Sequence, residues 1–213
     1  MTKRKLVMLD PGHGGLHPST GKYTTAPGKM AFHENEYMHN GGWFYEGVWN
    51  REMVRQIMSE ATEPGMQVLS TIPFNRWHED VPLGERIAYT NLMAQTHDVL
   101  FISIHANAFN GKSRGFQVHT SPGDTKSDYY AEYLWQEVGK EVGHQVRMRK
   151  DTSDGDVDFE DKFQVLTRTT CPAVLVENLF FDNPHDARLL MRRDFREDLA
   201  YCYRRLMLHF FRL

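Results

Sequence analysis

Leu6-Val7-Met8-Leu9-Asp10-Pro11-Gly12-His13-Gly14-Gly15 is the stretch on which the fold of this chain turns. The apolar run from Leu6 to Leu9 reads as a buried strand, and it stops at Asp10-Pro11-Gly12. That triplet makes a sharp turn, because proline fixes φ and glycine frees it. His13 follows at once, in backbone that glycines leave open to close approach. A strand that ends by presenting one imidazole among glycines can place a metal ligand. It can equally place a hydrogen-bonded loop histidine.

Working outward, two further apolar runs end in the same way. Residues 98–104, DVLFISI, are nearly all apolar, which predicts a central strand buried on both faces. They deliver His105-Ala106-Asn107. Ala173 to Val176 runs straight into Glu177. Met66 to Ile72 and Gly115 to Thr120 read as strands, and Val146 to Arg149 as a short edge strand. Between them lie amphipathic helices. Glu46 to Glu63 carries Val48, Trp49, Met53, Ile57 and Met58 at three-to-four spacing and stops at Pro64-Gly65. Leu83 to Thr96 has Leu83, Ile87, Leu92 and Met93 as its inner face, and Ser127 to Val142 follows a similar pattern. Asn183-Pro184 opens a helix to about Arg192, and 194–211 closes the chain with Phe195, Leu199, Tyr203, Leu206 and Phe210 in register. Strands alternating with helices predict an α/β fold: one domain, 1–213, with a mostly parallel, mixed, twisted sheet of about six strands and helices on both faces. In such sheets the site lies beyond the carboxyl ends of the strands, which is where His13, His105 and Glu177 stand.

The 213 residues carry a net charge of -3, 40% hydrophobic residues and a mean hydropathy of -0.57. That balance argues against binding nucleic acid by bulk electrostatics. No run of about 18 apolar residues is present, so no membrane insertion is expected. The apolar run after the basic N-terminus is too short for a signal peptide, so synthesis in the cytoplasm without an export signal is the expectation. Cys171 and Cys202 lack CxxC spacing, which excludes a cysteine zinc knot and leaves His and carboxylate as metal ligands. Residues 16–45 show no periodicity but hold Tyr23, Phe32, Tyr37, Trp43, Phe44 and Tyr45, the composition of a binding-groove wall. The acidic stretch 151–161 lacks the ligand spacing of a calcium loop and reads as solvated.

A catalytic zinc site needs three protein ligands and an open position. His13 and His105 supply two. Glu46, at the head of its helix and backed by Asn50 one turn on, is the choice for the third. An acid there is also simply favourable to the helix dipole. His33, Glu36, His39 and Glu52 are rivals from the same segment. Glu177 interrupts the apolar run AVLVENLFF, where a charge is costly unless paired or catalytic. Its role beside a zinc site is general base and then general acid.

Several blocks resemble those of the zinc-dependent N-acetylmuramoyl-L-alanine amidases of the "amidase 3" type. MLDPGHGG resembles the family's opening strand and first zinc histidine, His13; YEGVWNREMV its Glu-x-x-x-Asn helix start, Glu46; VPLGERIAYTN its Leu-x-x-Arg helix; and DVLFISIHANAF the block with the third ligand, His105. GFQVHTSPG resembles the strand after it, and VLTRTTCPAVLVENLFFDNPHDARLL the segment with the catalytic glutamate, Glu177. The family commonly reads Glu-Leu-Gly-Phe where this chain has Glu177-Asn178-Leu179-Phe180, and the loop after His13 is longer than in many members.

The resemblance implies one zinc ion and hydrolysis of the amide between the lactyl group of N-acetylmuramic acid and L-alanine of peptidoglycan. Arg86 and Asn107 would be substrate or supporting groups. It further implies a monomeric, endolysin-like or bacterial lytic enzyme without a separate wall-binding module, acting on the cell wall after release. Another zinc peptidase or deacetylase on the same scaffold is the alternative. A non-catalytic peptidoglycan binder would lack a ligand or Glu177, and all four residues are present.

Overall fold

The apolar run at Leu6 lies inside a longer strand, β1 (Arg4–Pro11), in a computed structural model that describes residues 3–25, 27–34 and 38–212. Next come a small hairpin, β2 (Met30–Phe32) and β3 (Trp43–Tyr45), then α1 (Glu46–Ser59) and β4 (Val68–Ser70). They are followed by α2 (Leu83–Thr96), β5 (His97–Asn107), β6 (Gln117–Thr120), α3 (Lys126–Val142) and β7 (Phe159–Glu160). The chain closes with α4 (Gln164–Thr167), β8 (Ala173–Phe180), α5 (Pro184–Met191) and α6 (Arg193–Arg212). Six strands form one sheet in the order β4-β1-β5-β8-β6-β7. Every neighbouring pair is parallel except β8 with β6.

Pleating explains why the central runs read as continuously apolar. Leu6 and Met8 face one layer while Val7 and Leu9 face the other. The larger layer packs α1, α3, α5 and α6 on one face of the sheet, and α2 and α4 cover the other. The α6 stripe matches its reading: Phe195, Leu199, Tyr203, Leu206 and Phe210 are all buried. Each such side chain is worth about 1.5–3 kcal/mol when fully buried.

Three readings need correction. On α2, Ile87 and Met93 pack inward as read, but Leu83 and Leu92 are 44% and 58% exposed, and the buried face is completed by Arg86 and Thr90. A buried arginine organises this helix, and hydrophobic periodicity does not register it. Val146 to Arg149 forms only an isolated bridge, Met148 to Phe116, and the edge strand is β7, within the acidic stretch. That stretch is therefore not all solvated: Asp158 is buried and accepts the Thr120 hydroxyl at 2.5 Å. The long loop is also anchored, by the β2–β3 hairpin and a Leu16–Tyr23 bridge. Tyr37 and Glu36 lie outside the described residues.

Candidate metal centre and catalytic cleft

The turn after β1 is built around crowding. A Cβ at Gly12 would fall 2.1 Å from the His105 ring, so only glycine lets β1 pass that imidazole. A Cβ at Gly47 would strike the Gly14 carbonyl at 1.9 Å, so α1 can seat its first turn against 12–14 only through glycine. His13 itself is left-handed, with φ 62°, a conformation that costs an ordinary residue about 1–2 kcal/mol.

Two buried arginines hold it there. Arg51 Nη2 donates to the His13 carbonyl at 2.7 Å, and its Nη1 to Gly14 at 3.0 Å and Gly47 at 2.9 Å. Arg86 donates to the Pro11 carbonyl at 2.7 Å and to His13 at 3.1 Å. Asn50, expected to support Glu46, instead donates to the Gly12 carbonyl at 3.1 Å. Burial first, and the neighbouring Arg86 charge second, lower the Arg51 guanidinium to about 10. Buried Asp10 accepts from Thr71, Ser103 and Arg86. Burial raises its pKa, but Arg86 and these hydroxyls outweigh that and leave it lowered.

The carboxyl ends of β1 and β5 and the head of α1 then converge. Glu46 Oε1 lies 3.2 Å from His13 Nε2 and 2.9 Å from His105 Nδ1. The two imidazoles stand edge to face at 5.0 Å. One ligand atom from each of the three residues falls within 4.8 Å of the others, an arrangement that could hold a metal ion. Burial works against the Glu46 carboxylate, but hydrogen bonds from His105 and His13 outweigh it and lower its pKa. Burial also holds the His13 imidazole below its usual range, against the pull of Glu46.

Glu177 pairs in register with His105 across β5 and β8 and so shares its face of the sheet. Its Oε2 has no partner, and burial followed by the charge of Glu46 raises its pKa well above the carboxylate range. Just beyond, Leu179 takes φ 66°, and the β5–β8 register shifts between His105 and Asn107. The Asn178 side chain ties this bulge down, donating to the His105 carbonyl and accepting from Tyr203. A cleft of about 580 Å³ opens over His13, His105 and Glu177, with Lys29, Leu83 and Phe163 among its walls.

The rivals for the third ligand among the described residues are occupied elsewhere. His33 bonds the Phe181 carbonyl at 2.8 Å, and His39 lies 3.9 Å from Glu52, which Arg196 also holds. Glu36 lies outside the described residues. Arg86 is no free substrate group: it is 1% exposed, and each of its guanidinium nitrogens bonds to protein acceptors beneath the cleft. Asn107 spends its side-chain oxygen on the Ala108 amide at 2.8 Å, as a turn residue does. Sequence reasoning missed Arg51 and Lys29. Arg51 was detectable as a charge on the same helical face as Gly47 and Val54. Lys29, 3.8 Å from Glu46 Oε2, sits in an aperiodic loop that offers no signal.

The profile of the family described as N-acetylmuramoyl-L-alanine amidase (Amidase_3) matches residues 7–207. The chain belongs to this family. The amidase AmiC of Neisseria meningitidis serogroup B is 28% identical over 237 residues, covering 93% of this chain and 50% of the relative. The germination-specific N-acetylmuramoyl-L-alanine amidase of Bacillus subtilis is 26% identical over 218 residues, covering 97% of this chain and 80% of that one. Against the longer meningococcal protein, then, the chain spans about half the length. Among solved structures, the amidase AmiC2 of Nostoc punctiforme aligns over 100% of both chains with TM-score 0.73 at 21% identity. Ami1 of Mycobacterium smegmatis gives TM-score 0.73 at 20% identity, over 98% of this chain and 97% of that one. At such identities the likeness is one of fold. Among the described residues no helix is long and apolar enough to cross a membrane.

Proposed function

We propose that the protein hydrolyses the amide joining the lactyl group of N-acetylmuramic acid to L-alanine in peptidoglycan, with one zinc ion held by His13, Glu46 and His105. The observation that carries this reading is the convergence of those three residues beside Glu177 at one end of the sheet. The donor set suits the ion: two imidazoles and a carboxylate are a known catalytic zinc combination. One enclosed ligand-type atom, Glu46 Oε2, also lacks any hydrogen-bond partner.

Zinc held there supplies a Lewis acid that polarises a carbonyl and acidifies water. The protein's own groups do the rest. Glu177 takes a proton from the attacking water and returns one to the departing L-alanine nitrogen. Its raised pKa makes it a stronger proton acceptor than an ordinary carboxylate, as a group that must both accept and donate requires. Arg51 and Arg86 keep His13 in its left-handed pose, so the imidazole needs no reorganisation. Leu83, Phe163 and Leu175 give the cleft apolar walls that limit water.

The test is digestion of purified muropeptides with zinc-loaded protein, reading the new termini by mass spectrometry. Free lactyl groups together with free L-alanine amines support the proposal. Cleavage within the peptide would assign a peptidase instead, and intact substrate a binder.

A further inference from the structure

A second concavity, of about 530 Å³, is lined by Asn110, Lys112, Ser113, Arg114, Arg147 and Arg149. Four of those six side chains are cationic and none is acidic, in a chain whose net charge is -3. Among the described residues, only Arg114 of the four has a carboxylate partner, Asp186. Arg149 lies over the Phe180 ring at 5.2 Å, and its Nε is enclosed without a partner. The loop bearing Lys112 is held in place, since Asp182 accepts from the amides of Phe109 and Gly111 at 2.9 and 2.8 Å.

The pleat shows where this concavity lies. Met148 bridges in parallel to Phe116, and both side chains pack into the larger core. Arg147 and Arg149 therefore point to the opposite face of the sheet. That face carries Gln117 and its register partner Glu177. Two strand spacings separate the 147–149 segment from β8, about 10 Å. Phe180, beneath Arg149, is three residues after Glu177 on the same strand. A peptide advances about 3.3–3.6 Å per residue, so a group two or three residues from the scissile amide reaches about 7–11 Å.

We propose that this cationic concavity is the subsite for a carboxylate of the stem peptide, two or three residues beyond the amide that is cut. The ligand's identity rests on the amidase reading. Guanidinium groups suit carboxylates because their planar forks match the two oxygens. A place beside β8 suits a group tethered to the scissile bond.

Calorimetry on the metal-free protein tests the subsite directly. The probes are L-alanyl-γ-D-glutamyl-L-lysine and the same tripeptide with both carboxylates amidated. Wild type should bind the free acid about tenfold more tightly, the worth of one charge-assisted hydrogen bond. Arg147→Ala with Arg149→Ala should abolish that preference, while Arg147→Lys with Arg149→Lys should keep most of it, which separates lost charge from lost fold. Equal binding of both probes by wild type, or a preference surviving in the alanine variant, overturns the proposal. So does displacement of the tripeptide by oligo(glycerol phosphate) at far lower concentration, which would assign the site to a phosphodiester. In turnover, the alanine variant should raise KM for the carboxylate muropeptide about tenfold and leave kcat unchanged. If wild type fails to cleave that muropeptide, the amidase reading fails, and the calorimetry still decides the subsite.

Discussion

Glu46 and Glu177 are the same residue in the same small volume, and their surroundings drive them apart. Glu46 sits at a helix head between two imidazoles, and these hydrogen bonds overcome its burial and hold it ionised. Glu177 sits mid-sheet with an unpartnered oxygen, and burial plus the charge of Glu46 raise its pKa. The charge of Glu46 is thus itself one cause of the Glu177 shift. Pairs of acids pushed apart in this way divide the work of a site: one becomes a ligand, the other a proton carrier.

The largest expected effect breaks that division outright. Glu177→Gln should retain stoichiometric zinc and lose about 10³-fold in kcat. Glu46→Ala should lose zinc, measured by elemental analysis after gel filtration. Full zinc retention by the Glu46 variant would overturn its assignment as a ligand. Next comes the scaffold under His13. Arg86→Met leaves Asp10 buried without its charge partner and should cost about 3 kcal/mol in urea unfolding of the metal-free protein. A smaller cost would mean that Thr71 and Ser103 suffice for Asp10.

The comparison also makes an opposed pH prediction for the metal-free protein. The pKa of Glu177 is raised on folding, so its contribution is fully present below about pH 4.5 and is lost as pH rises through its folded pKa. Glu177→Gln should therefore be more stable than wild type at pH 7, by about 1–2 kcal/mol, with the gap closing toward pH 4. Glu46 has the reverse sign. Its contribution is present above about pH 4.5 and is lost as pH falls, so Glu46→Gln should be the less stable protein at pH 7. Parallel curves for the two variants would refute the contrast. The smallest effect concerns a third acid, away from the cleft. Burial first, then Asp156 and Asp128 against the opposing Thr120 hydroxyl, push Asp158 up to about 7. Its contribution is complete below about pH 4 and fades through pH 7, so Asp158→Asn should flatten the pH dependence of stability between those values.

Much of this was legible in the chain. Three apolar runs each ended in a chemistry-bearing residue, and parallel strands bring such ends to one edge. His13, His105 and Glu177 could therefore be grouped before any coordinates. Glu46 was a choice among five candidates of one loop and helix. Its selection depends on Gly47 letting α1 dock on the Gly14 carbonyl, a steric fact about two backbones. Of the two roles read for Arg86 the structure shows a supporting one; its place on the inner face of α2 was out of sight because periodicity counts apolar residues, while this helix is seated by a guanidinium that takes five protein acceptors. The Arg147–Arg149 face was out of reach too, since it follows from which side of the sheet Met148 occupies.

The order of strands and helices, the continuous apolar runs and the punctuation at Asp10-Pro11-Gly12 are local properties, written in neighbouring residues. They determined an α/β sheet with His13 waiting at the end of its first strand. Tertiary structure alone decided that this histidine takes a strained pose under two arginines, that Glu46 is the acid brought to it, and that the two glutamates of the site have their pKa values shifted in opposite directions. Those outcomes depend on burial and on Coulomb forces between groups far apart in the chain, and both exist only once the chain has folded.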